Sequence, residues 1–208
     1  MKKQILFLAF MVAAMAINAQ NIKLPAPKKT GGMPLMEALN NRKSGRAYSD
    51  KALTQQQLSN MLWAATGVNR EDGRMTAPTA SNNQQVEIFV ANKDGVYQYM
   101  PKTNELKTVL KGDNRTLFAK QPNHQKAPVL MLFVANYDKM GKYDDNAKLK
   151  YGFTDVGNVS QNVYLFAASE GMASVVMGMF EPEPLVKALK LTPAQKPILT
   201  QAIGFPAN

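Results

Sequence analysis

Arg42, Lys43 and Arg46 place three cations within five positions, with the hydroxyl of Ser44 and the bare backbone of Gly45 between them. Such a set can hold a phosphate. Arginine offers a planar fork of donors, lysine a compact charge and serine a hydroxyl, while glycine lets the main chain come close to a ligand. Cations in the last turn of a helix also complement its dipole and need no ligand. The cluster alone leaves both readings open. A second polar group, Pro78-Thr79-Ala80-Ser81-Asn82-Asn83-Gln84, closes a loop that starts at Asn69. Its short side chains suit a backbone that approaches a ligand, and equally an ordinary surface loop. A third candidate is the apolar run Ala173 to Phe180, where the internal Gly178 can mark a close approach.

Other chemistries are poorly supplied. The 208 residues contain no cysteine, which removes disulfides and thiolate metal sites, and a single histidine, His124. One histidine excludes multi-histidine metal sites and argues against a Ser-His-Asp hydrolase. His124 itself reads as a solvated loop residue. A 45% hydrophobic, 19% charged composition is that of a globular domain with a real core.

The first nineteen residues stand apart. Lys2 and Lys3 precede an apolar run from Ile5 to Ala16, too short for a comfortable membrane span, and Ile17-Asn18-Ala19 ends in a small residue before Gln20. This is the pattern of a secretory signal peptide cut after Ala19, with an uncleaved anchor as the alternative. Loss of Lys2 and Lys3 takes the formal charge from +10 to +8. The basic residues are scattered and do not alternate with aromatic ones, so nucleic acid is not the expected partner. The charge suits solubility and anionic ligands.

The elements that must position these residues can be read in order. Gln20 to about Pro34 is an extended arm rich in Pro, Lys and Gly. Met36 and Leu39 pattern a short helix over Met36 to Arg42, which delivers the basic cluster. Thr54 and Gln57 form a capping box for a helix whose stripe is Leu58, Met61, Leu62 and Ala65, with Gly67 expected to end it in the left-handed conformation. Val86 to Ala91 and Val96 to Tyr99 flank the turn Asn92 to Gly95 as a hairpin. A polar loop follows through Asn104, then a short helix from Asp113 to Ala119 and an irregular stretch to Lys126. Pro128 to Val134 reads as a strand buried on both faces, and Tyr137 to Lys150 as exposed. The core helix spans Gly152 to Glu170, with Val156, Val159, Val163, Phe166 and Ala167 inward. Glu181 to Pro184 begins a short helix ending near Lys190, and Ile198 to Phe205 is the last strand. The fold class is α+β, with a mixed central sheet flanked by helices.

In this order the motifs resemble the nitroreductase family of FMN-dependent oxidoreductases, closest to its SagB-type dehydrogenase branch. The resemblance runs from about Leu35 to Pro206. It rests on Arg42 to Arg46, Leu62-Trp63-Ala64-Ala65-Thr66-Gly67-Val68-Asn69-Arg70 with Arg74, Pro78 to Gln84, and the hairpin Gly95 to Tyr99. Asp155-Val156-Gly157, Gln161-Asn162, Gly171 to Ser174, Met177 to Phe180 and Ile203 to Pro206 complete it. The resemblance implies one domain over 35–208 and a homodimer with FMN at the interface. It implies that Arg42, Lys43, Ser44 and Arg46 grip the phosphate and ribityl chain. It implies that Pro78, Thr79, Ala80 and Asn82 reach the flavin from the other subunit, and that Val176, Met177 and Gly178 lie under the ring. Hydride then passes through flavin N5 in a ping-pong cycle, with NAD(P)H the usual donor and a small organic molecule the substrate.

Three departures qualify this. The basic residue that many members carry after the last strand has no counterpart up to Asn208, which puts more of the phosphate on the first cluster. The family's Pro-Ser-Ser is Pro78-Thr79-Ala80, and Gly178 stands where some nitroreductases have Glu, against nitroaromatic reduction. An exported, most plainly periplasmic, enzyme would also meet little NAD(P)H. The competing readings are a redox-inactive flavin- or ligand-binding protein on the same fold and a basic protein that binds anionic surfaces.

Overall fold

The structure is a computed structural model and describes residues 21–207; the expected signal peptide, 1–19, lies outside the described residues. Seven strands form one sheet in the order β1-β4-β3-β2-β5-β7-β6. They are β1 Ile22–Lys23, β2 Val86–Ala91, β3 Gly95–Met100, β4 Glu105–Lys111, β5 Val129–Asn136, β6 Ala173–Met177 and β7 Gln195–Gly204. All the ladders are antiparallel, and the parallel contact in the sheet is a bridge from Ser44 to Ser174. The helices are α1 Leu35–Asn41, α2 Gln55–Thr66, α3 Pro122–Gln125, α4 Asp145–Ser169 and α5 Pro182–Leu189. This is the expected α+β arrangement, but the sheet is antiparallel rather than mixed, because each pair of neighbouring strands runs in opposite directions.

β5 is the spine. Its residues Val129 to Ala135 are all buried, and it pairs with β2 on one side and β7 on the other. Burying each of its large side chains is worth about 1.5–3 kcal/mol, well above what an exposed ion pair supplies. Strand alternation then makes two cores. Met131 and Phe133 face α2 and α4, where Met61, Leu62, Val156, Val159 and Val163 meet them. Leu130, Leu132 and Val134 face the other side, with Phe118, Leu185 and Leu189.

Helix α2 starts where the sequence says it should. Thr54 accepts from the Gln57 amide at 3.2 Å, and the Gln57 side chain accepts from the Thr54 amide at 3.0 Å. Its end differs. Gly67 is extended, at φ −69° and ψ 151°. A Cβ there would lie 2.1 Å from a Trp63 ring carbon. Packing under the indole, not a left-handed turn, requires this glycine.

Helix α4 begins at Asp145, ahead of the expected Gly152, because the Asp144 side chain caps it by accepting from the Ala147 amide at 2.8 Å. The segment expected to be exposed therefore holds a 3₁₀ turn with buried Met140 and the first turns of α4. Strand β4 fills the stretch between the expected loop, which ends at Asn104, and the expected helix at Asp113, and it buries Leu106. The arm is ordered because other elements bind its main chain. Ser59 and Asn104 donate to the Pro25 carbonyl at 2.6 and 2.9 Å, Gln56 donates to Ala26 at 2.9 Å, and Ser169 accepts from the Met33 amide at 2.7 Å.

Candidate functional site

Helix α1 stops at Asn41. Arg42 still donates its amide to Ala38, at 2.9 Å, but its backbone is already extended. No basic residue lies in the last turn. The three cations therefore sit beyond the helix, which weakens the dipole explanation for them. The chain next runs along the free edge of β6. The Gly45 amide donates to the Ser174 carbonyl at 2.8 Å. A Cβ at Gly45 would fall 2.7 Å from Ala173 Cβ, so the close approach this glycine allows is to β6.

Tyr164 of α4 ties the pieces together. Its hydroxyl lies 3.3 Å from Ser44 Oγ and accepts from the Val176 amide at 2.8 Å. The Arg42 guanidinium sits over its ring at 5.4 Å, a cation–π distance. Nothing in the sequence pattern marked this tyrosine. Tyr48 braces the same turn by donating to the Gly45 carbonyl at 2.9 Å. Burial, reinforced by Tyr164, pushes the Tyr48 hydroxyl far above its ordinary range despite the opposing charge of Arg46, so it remains a neutral donor.

Lys43, Arg46, Tyr164, Ser174 and Pro206 line a cavity of about 500 Å³. Lys43 and Arg46 are exposed. Neither they nor Arg42 forms an ion pair with a described residue. Along β6, alternation sends the Ser174 and Val176 main chain outward, and Gly178 follows the strand directly at a bend. Tyr164 takes the Val176 amide, which leaves the Val176 carbonyl on the open edge. Gly178 is exposed, and a Cβ on it would meet only Leu199 Cδ2, at 3.9 Å. Met177 is buried toward α5, so only its main chain is available on this face.

His124 is not solvated as expected. It is 3% exposed on α3, and neither ring nitrogen has a partner among the described residues. Burial, and then the charge of Arg46, push its pKa down, so it is held neutral.

The Pro78 loop forms a different cavity, of about 470 Å³, with Arg70, Arg74 and Met75. Within the described chain the cluster and this loop do not line a common space. The loop is held in an unusual shape. Ser81, Asn82 and Gln84 have φ of 49°, 55° and 50°, each costing on the order of 1 kcal/mol or more for a residue with a side chain. Asp155 offsets this by accepting from the Ala80 amide at 2.9 Å and from the Gln85 side chain. Thr79 Oγ1 accepts from the Gln84 amide at 2.9 Å, and Ser81 meets the Tyr143 hydroxyl at 2.7 Å.

Residues 39–205 match the family model for the nitroreductases. The chain belongs to the nitroreductase family. A Methanocaldococcus jannaschii protein assigned as a nitroreductase is 33% identical over 197 residues, 90% of this chain and 97% of that protein. The crystal structure of a Ralstonia eutropha JMP134 protein, also assigned as a nitroreductase, superposes with a TM-score of 0.84. It is 33% identical, and the match covers 94% of this chain and 93% of that one. An NAD(P)H-type FMN reductase of Bacillus subtilis is 23% identical over 188 residues, 84% of this chain and 66% of that enzyme. Nitroreductases are oxidoreductases and generally flavin-dependent, and that is the class of this protein.

Proposed function

We propose that this nitroreductase-family protein is an FMN-dependent oxidoreductase of the SagB-type dehydrogenase kind. It would act as a homodimer outside the cytoplasm on a small organic substrate. The observation that carries the reading is the set Arg42, Lys43 and Arg46, without carboxylate partners among the described residues, beside an open stretch of strand edge. The residues fit the cofactor. A phosphate needs cations and a hydroxyl, supplied by Arg42, Lys43, Arg46 and Ser44. The polar edge of a flat ring needs main-chain donors and acceptors and no side chain in the way, supplied by Val176 and Gly178.

The chemistry FMN supplies when bound is two-electron transfer through N5, donor first and acceptor second in a ping-pong cycle. The chain's own work is to hold and to shield. Tyr164, fixed by the Val176 amide, keeps the cluster at a set distance from the strand edge. The loop Pro78-Thr79-Ala80 with Asn82, coming from a second copy, covers the ring and excludes water. Two observations support the second copy. The loop and the cluster line separate spaces in one subunit. Met36 beside the cluster and Met179 beside the strand edge are 76% and 64% exposed, as apolar residues awaiting a partner would be.

Export is supported by the pattern from Lys2 to Ala19. Since NAD(P)H is scarce outside the cytoplasm, the donor there is a different reductant. The test is to purify residues 20–208, load FMN and follow the visible absorbance. A yellow dimer that bleaches with dithionite and recovers with an acceptor is expected. A protein that cannot be reconstituted with FMN overturns the reading. A yellow protein inert to every donor and acceptor would leave ligand binding without turnover.

A further inference from the structure

We propose that Arg74 selects substrates that carry a carboxylate or similar anion. This rests on the reading of the Pro78–Asn82 loop as a wall of the flavin site. The two arginines lining the loop cavity differ. Arg70 is committed to the scaffold: its Nε donates to Asn69 Oδ1 at 3.1 Å and its terminal nitrogen to the Met75 carbonyl at 2.9 Å. Those bonds close the turn in which Val68 pairs with Met75. Arg74 is not committed. Its described partner is Asp72, through one Nε contact at 3.3 Å, and both side chains are more than half exposed. A single-contact pair in water is weak and screened by salt. The outer fork of Arg74, which matches a carboxylate in shape, is left free.

The cavity lining reinforces this. Alongside Arg70 and Arg74 it contains Met75, Ala77, Pro78, Thr79, Ser81 and Asn82, and no acidic side chain. The charged groups in it are of one sign, and the remaining polar groups, hydroxyls and an amide, can donate. At about 470 Å³ the space suits a small organic acid. The loop's left-handed residues, anchored by Asp155, hold this wall in one shape.

Benzoate and benzamide test the idea on FMN-loaded protein, because they share a shape and differ in charge. Binding is read from the shift in the flavin spectrum. Benzoate should bind about tenfold more tightly than benzamide, the factor expected of one charge-assisted contact, and salt should erode the preference. Arg74→Gln should abolish it without moving the melting temperature, while Arg74→Lys should keep part of it. In turnover, Arg74→Gln should raise KM for a carboxylated p-benzoquinone and leave the uncarboxylated one unchanged. Equal binding of the two ligands, no spectral response to benzoate, or a preference that survives Arg74→Gln overturns the proposal. A protein that takes up no FMN brings down the functional reading and this inference together. A flavin-loaded, redox-active protein indifferent to charge removes only the inference.

Discussion

Two charged groups in this molecule are built in opposite ways. Glu87, on β2, is saturated from within the chain. Its carboxylate accepts from Asn136 at 2.8 Å and Gln195 at 2.6 Å and pairs with Lys139 at 2.8 Å, so it stitches β2 to the ends of β5 and β7. Burial alone would raise its pKa, but these donors hold it below the usual carboxylate range. The Arg42 to Arg46 cluster has the opposite character. Its cations meet a tyrosine face and a carbonyl and no described carboxylate. A charge with every partner inside the chain belongs to the fold. A cluster left without them is, on the proposed reading, the part of the chain that meets a ligand.

The contrast can be broken by swapping the readouts. Glu87→Ala should give the largest effect, a loss of about 3 kcal/mol of stability, because it strands three donors at a nearly buried position. FMN affinity per folded molecule should not change. Arg42→Ala should do the reverse. It should weaken FMN binding by about 1.5–3 kcal/mol, the range for hydrogen bonds to charged groups, with the melting temperature nearly constant. Denaturant unfolding and flavin titration on both variants decide. If Arg42→Ala lowers stability and spares flavin binding, the cluster is structural after all and the distinction fails.

His124 sharpens the comparison, because it is neither saturated nor exposed. Its folded pKa lies below its ordinary value of 6.5. Its contribution is therefore complete above about pH 6.5 and is lost as pH falls through the lower, folded value. Glu87 also has a depressed folded pKa, so its contribution is lost in acid too, but only below the ordinary carboxylate value of 4.5. The acid limb of stability should therefore have two steps. His124→Leu should flatten the first and leave the second, with a change of only about 1 kcal/mol at neutral pH. A first step that persists in His124→Leu would assign it to another group.

The sequence revealed whatever its own local chemistry encodes. The capping box at Thr54, the stripe of α2 and the apolar run of β5 each lie within a few residues, and each was legible. So was the cluster itself, because charge density is local. Tyr164 was not legible, because its role exists only once the Ser44 turn lies against Val176. β4 was missed because Lys107 and Lys111 interrupt its apolar pattern and its pairing closes on a two-residue β1. The turn rules say nothing about Ser81, Asn82 and Gln84, since no glycine announces their left-handed backbone. Asp155 holds that shape from a helix far along the chain.

The smallest perturbation addresses the strand edge itself. Gly178 is outside the left-handed region, and a Cβ there would make ordinary contact with Leu199 at 3.9 Å. Alanine should therefore fit, and by restricting the unfolded chain it should leave stability unchanged or raise it by up to about 1 kcal/mol. Packing within the described chain gives no reason for glycine at this exposed place. A flat ring lying on the edge gives one, because a methyl group would lift it from the Val176 carbonyl and the Gly178 amide. Gly178→Ala should then lower FMN affinity or shift the bound flavin spectrum while the melting temperature holds or rises. Native affinity and spectrum in Gly178→Ala would show that the ring does not lie on this edge. The cluster would then remain a phosphate grip whose other end lies elsewhere.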